Sequence, residues 1–144
     1  MPPRIAFDTN LLVAALTKHT GASARILHAW RSGEIEVVAS DATIREAEYV
    51  VGAGWLSRIV GRGPVEELLD DLRTHTVRVD PQARVTDLPL KDPGDLRMLE
   101  AALEGHAQYV VTTDREFLSH RGHGAVEFVT PLEFWRRVDK WRQT

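Results

Sequence analysis

Arg4-Ile5-Ala6-Phe7-Asp8-Thr9-Asn10-Leu11-Leu12-Val13-Ala14-Ala15-Leu16 passes from a short apolar run to a helical pattern at Asp8. Arg4–Phe7 reads as a first strand and Thr9–Leu16 as the helix after it, with the carboxylate at the junction. The same alternation continues outward. His19-Thr20-Gly21-Ala22 forms a loop, Ser23–Arg31 a second helix, Glu36–Ala39 a second strand, and Asp41–Val51 a helix capped by Ser40. Gly52, Gly54, Gly61 and Gly63 break the chain into short pieces before Pro64 opens a helix to about Arg73. A third strand covers Thr76–Val79, and Asp80–Lys91, with two prolines, is a loop. Then come a helix over about Pro93–Glu104, a strand Tyr109–Thr112, a short helix Arg115–His120, a strand Val126–Val129 and a last helix, Pro131–Thr144. Strands separated by helices predict a parallel sheet with crossover helices, an α/β three-layer sandwich on five strands. With no repeat or linker, residues 1–144 read as a single domain.

Composition narrows the function. The chain has no cysteine, which excludes a disulfide framework, a thiolate zinc site and a cysteine nucleophile. No basic, apolar leader precedes the first strand, and no apolar run approaches the ~20 residues that span a bilayer. A cytoplasmic protein without membrane contact is expected. The formal charge of −3 speaks against a surface that coats nucleic acid, so any nucleic-acid contact is local or assisted by bound cations.

In a parallel sheet of this kind ligands bind beyond the carboxyl ends of the strands, where the winding reverses. Asp8 follows the first strand and Asp114 the fourth, so the two face each other if those strands are neighbours. Each could equally serve as a helix N-cap. At 100° per residue, Leu96, Leu99, Ala102 and Leu103 fall within roughly 100° of Asp95, while Arg97, Glu100 and Glu104 take the opposite face. An ionised Asp95 on the apolar stripe is costly unless paired or bound to a cation. The same wheel puts Glu46 between Ala42 and Val50, with Arg25 or Arg97 as possible partners. Four acids converging on one crevice would raise one another's pKa, a conflict that a divalent cation resolves. Oxygen-only ligands suit Mg²⁺ or Mn²⁺, and such a site suits hydrolysis at phosphorus through an activated water. Asn10 and Thr112 are supporting candidates, Glu116 is an outer one, and Asp92 competes with Asp95 for the third position. His120 and His123 read as solvated histidines in a glycine-rich loop.

Taken together, Asp8-Thr9-Asn10, Glu46, Asp92-Pro93-Gly94-Asp95 and Gly105–Asp114 (GHAQYVVTTD) resemble the PIN domain family. The similarity is strongest to the VapC-like toxins of prokaryotic toxin–antitoxin systems. Val129-Thr130-Pro131-Leu132-Glu133-Phe134 extends it over nearly the whole chain. The resemblance implies metal-dependent endoribonuclease activity, with Asp8, Glu46, Asp95 and Asp114 as the catalytic acids and Asp8, Asp95 and Asp114 on the metal. It also implies an RNA substrate, a cognate antitoxin, a homodimer and the strand order 3-2-1-4-5. Family members often carry an acid where Gly94 and Leu96 stand, which leaves the choice between Asp92 and Asp95 open. A doubly wound phosphatase with Asp8 as nucleophile is the enzyme alternative, although the haloacid-dehalogenase pattern needs an aspartate where Asn10 stands. A non-catalytic RNA- or protein-binding module is the other alternative. Cleavage of structured DNA would need a helical arch and a basic surface that the chain lacks. The last helix, net +2 by its charged residues, is expected to dock through Phe134, Val138 and Trp141 with a basic outer face. Trp30 and Trp55 are expected in the core or a dimer interface.

Overall fold

The computed structural model describes residues 2–142. In chain order the elements are β1 (Arg4–Phe7), α1 (Thr9–Thr17), α2 (Ala22–Arg31), β2 (Glu36–Ala39), α3 (Asp41–Val51), α4 (Trp55–Val60) and α5 (Arg62–Thr74). There follow β3 (Thr76–Arg78), α6 (Pro93–Glu104), β4 (Tyr109–Val111), α7 (Arg115–Ser119), β5 (Gly122–His123), β6 (Val126–Val129) and α8 (Pro131–Arg142). The expected extension of the last helix to Thr144 falls outside the described residues.

The helix starts follow from local chemistry. Asp8, Ser40, Asp92 and Asp114 each accept a hydrogen bond from a backbone amide of the first turn that would otherwise lack a partner. The sheet order is β3-β2-β1-β4-β6-β5, parallel except for the β5–β6 pair. Alternate strand residues feed opposite faces. Ile5 packs with Leu11, Ile26, Trp30, Leu56 and Phe134 on one side. Ala6 packs with Met98, Leu99, Val110, Phe117 and Phe128 on the other. Three layers result, and burying each of these large side chains contributes roughly 1.5–3 kcal/mol.

Three expectations about the elements are corrected. The sheet has six strands rather than five, because Gly122–His123, read as loop, turns back at Gly124 and pairs antiparallel with Val126–Glu127. The extra strand lies at the edge and leaves the order of the other five as 3-2-1-4-5. An additional helix, α4, fits between Gly54 and Gly61, both at φ 97°. The helix expected from Pro64 begins at Arg62, since a first-turn proline lacks only an amide that the helix leaves unbonded.

Glu100 does not face solvent as the wheel suggests; it is 3% exposed. The connection between β3 and α6 folds back over α6. Glu100 there accepts from the Val85 amide at 2.9 Å and pairs with Arg84 at 2.9 Å and Arg97 at 2.8 Å. Trp30 is a core residue whose indole donates to the His75 carbonyl, whereas Trp55 is exposed at the surface. On α8 the buried stripe is Phe134, Trp135 and Val138; Trp141 is 61% exposed. Among the described residues no helix is long and apolar enough to cross a membrane.

Candidate active site

β1 and β4 are hydrogen-bonded neighbours, with Phe7 opposite Val111. The residues that leave the two strands, Asp8 and Thr112, therefore emerge side by side. Asp8 Oδ1 accepts from the Leu11 amide at 2.9 Å, capping α1. Its Oδ2 accepts from the fully buried Thr112 hydroxyl at 2.5 Å. The Thr112 oxygen in turn accepts from the Asp114 amide at 3.0 Å, tying the β4 exit to Asp8. Capping and site-building are thus not alternatives for Asp8, because its two oxygens do different work. Asp114 likewise caps α7 through the Glu116 amide.

Asp92 caps α6 by accepting from the Gly94 amide at 2.8 Å, and Asp95 lies in the same first turn. Glu46 comes from the second turn of α3, and its carboxylate lies over Gly94 so closely that a β-carbon there would collide with it. Neither Arg25 nor Arg97 pairs with it; Arg25 binds Asp139 and Arg97 binds Glu100.

These groups border a crevice of about 220 Å³ at the carboxyl edge of the sheet. Asp8, Glu46, Asp92, Asp95 and Asp114 all line it, together with Thr9, Asn10 and Thr43, and no lysine, arginine or histidine does. Among the described residues none of the five acids makes an ion pair. The electrostatic consequence is direct. Burial raises the Asp8 carboxyl and the Asp114 charge adds to the shift, against the Thr112 and Leu11 hydrogen bonds. Burial, then Asp92, raises Glu46. Asp95 is pushed up to about 7 by burial first, then by Asp92, Asp114, Asp8 and Glu46.

Among the described residues no three His, Asp or Glu side chains stand as a finished ligand set. The fit to a divalent cation lies instead in the donor chemistry. The crevice offers only oxygen donors and uncompensated negative charge, which suits Mg²⁺ or Mn²⁺.

The crevice therefore brings together Asp8, Asn10, Glu46, Asp92, Asp95 and Asp114, with Thr112 buried beneath. Glu116 is not among the lining residues; its carboxylate accepts from the Lys91 amide at 3.3 Å. His123 is not simply solvated: its Nε2 lies 2.9 Å from Asp87 Oδ1, and Asp87 belongs to the connection over α6. Sequence reasoning missed the part played by Gly94. The only signal was a glycine inside the first turn of a helix, between two acids.

No curated protein matches this chain. Among solved structures, a chain of VapBC2 from Rickettsia felis, crystallised bound to a DNA fragment from their promoter, matches with a TM-score of 0.58. That match has 17% identity and covers 87% of this chain and 98% of the other, so it is a likeness of fold. A profile of the PIN domain matches residues 4–116, a span that contains β1, β4 and all five crevice acids. The chain belongs to the PIN domain family.

Proposed function

We propose that this chain is a Mg²⁺- or Mn²⁺-dependent endoribonuclease and the toxin of a toxin–antitoxin pair. PIN domains are in the main nucleases. The observation that supports the finer reading most is the crevice itself: five carboxylates, no cation, and Asp95 raised to about 7. A module that binds RNA without a metal is opposed by uncompensated acids at this density, because they would repel a phosphate backbone. A phosphatase of the haloacid-dehalogenase pattern needs an aspartate two residues after the nucleophile, where this chain has Asn10.

In this reading Asp8, Asp95 and Asp114 would hold the ion. A divalent cation bound there would supply neutralisation of charge at the scissile phosphate and activation of water. Thr112 keeps Asp8 and the β4 exit in fixed relation. Glu46, whose carboxyl is raised by burial and by Asp92, takes the proton of the attacking water as the new P–O bond forms. The leaving oxygen departs with a proton from solvent. Asn10, at the crevice wall, orients the water or Asp8, and Asp92 caps α6 while adding negative potential. Exposed Tyr49 on α3 and Ile59 on α4, 82% and 65% accessible, offer apolar surface to an antitoxin or a second copy. The VapBC2 likeness supports the antitoxin expectation.

The test is cleavage of single-stranded RNA by purified protein, with single-stranded DNA in parallel. RNA is expected to be cut with Mg²⁺ or Mn²⁺, and cutting is expected to stop when the metal is chelated. Full activity in excess EDTA, or in Asp95→Asn, would overturn the proposal.

A further inference from the structure

Gly94 occupies the second position of α6, between Asp92 and Asp95. Its φ is not in the left-handed region, so the backbone itself does not ask for glycine there. Glycine is a poor choice inside a helix when conformation does not require it. What it supplies is room. A β-carbon at position 94 would overlap both carboxylate oxygens and the Cδ of Glu46.

The colliding atoms are the far end of a flexible side chain on α3, not backbone. A larger residue at 94 would therefore leave α6 in place and turn the Glu46 carboxylate out of the crevice. Glu46 belongs to an exposed residue position and has space to move into. The steric cost thus falls on the site and not on the fold.

We infer that Gly94 is a positioning residue whose missing side chain seats the Glu46 carboxylate against the first turn of α6, beside Asp92 and Asp95. This rests on the reading of Glu46 as a catalytic acid.

Four proteins test it: wild type, Gly94→Ala, Glu46→Asp and the double variant. Metal-free Gly94→Ala should melt at or above wild type, since alanine restricts the unfolded chain and the helix accepts it. Its kcat for RNA should fall about a hundredfold with KM little changed, the scale expected when a reacting group moves by about an ångström. Glu46→Asp withdraws the carboxylate by one carbon–carbon bond, about 1.5 Å. Alone it should lower turnover, but in the Gly94→Ala background it should raise turnover, because the shorter side chain clears the new methyl. A purely structural role for Gly94 would not produce that reversal of sign.

A readout independent of activity is a nuclear Overhauser contact between the Gly94 α protons and the Glu46 γ protons in the metal-free wild type. Wild-type kcat in Gly94→Ala, failure of Glu46→Asp to rescue it, or absence of that contact would each overturn the inference. If the wild type cuts no RNA, the functional reading falls and takes the effect of Gly94 on turnover with it, while the Overhauser contact still decides whether Gly94 seats the Glu46 carboxylate.

Discussion

Replacing Asp95 by asparagine in the absence of any divalent cation should make the protein more stable at neutral pH. The carboxyl of Asp95 is raised from 3.8 to about 7 by burial and by four neighbouring acids. An unfolded chain releases this proton near pH 4, whereas the folded chain keeps it to about pH 7. Over that window the native state binds more protons, so stability falls as pH rises and the full penalty stands above about pH 7. A shift of about three pH units corresponds to a ceiling of about 4 kcal/mol. Asp95 is only half-buried, and solvent screening brings this to roughly 2 kcal/mol. Losing a first-turn carboxylate from α6 removes about 0.5 kcal/mol of favourable helix-dipole interaction. The net gain for Asp95→Asn is between about 1 and 2 kcal/mol at pH 8, or about 3–6 °C in Tm for a domain near this size. Thermal melts by circular dichroism in EDTA from pH 4 to 8 would measure it. The difference should shrink toward pH 4, and at pH 8 Mn²⁺ should raise wild type alone. If Asp95→Asn instead melts lower than wild type at pH 8, the carboxylate is held by favourable contacts and the electrostatic account of the crevice is wrong.

Thr112→Val removes the hydroxyl that donates to Asp8 and accepts from the Asp114 amide; it should cost about 1–3 kcal/mol by urea unfolding and lower turnover without changing RNA affinity. Asp92→Asn should keep the cap on α6, shift stability by no more than about 1 kcal/mol, and retain far more activity than Asp95→Asn. Equal losses in kcat would show Asp92 to be the third acid. Glu100→Ala removes the acceptor of the Val85 amide and the partner of Arg84 and Arg97 and should cost about 1–3 kcal/mol, with limited trypsin cleavage at Arg84 rising in step. Charge removal at Arg136 and Lys140 should leave the salt dependence of RNA binding unchanged, because α8 starts at the carboxyl end of β6 and runs away from the crevice edge. A shallower salt slope would place RNA on that helix.

By itself the sequence determined the alternation of strands and helices, most helix starts, and the acids at the strand exits. These are local matters. Apolar runs, proline and glycine positions, and carboxylates that cap the next helix act over a few residues, which is why α3, α6 and β6 have the boundaries that their patterns indicate. The helical wheel also put Asp95 toward the interior, where it is half-buried, because periodicity alone assigns faces on a helix. Glu46, which the wheel set inside the apolar arc, is exposed at the crevice mouth instead. Only the tertiary structure decided what those faces meet. The wheel exposed Glu100 because it takes no account of the chain segment that folds over α6. Asp8 and Thr112 lie 104 residues apart, and their bond exists because β1 pairs with β4. The seat of Glu46 on Gly94 joins α3 to α6 through the absence of an atom, which no local pattern records. The raised Asp95 carboxyl belongs to the assembled crevice, since burial and four other charges act on it only after distant segments have come together.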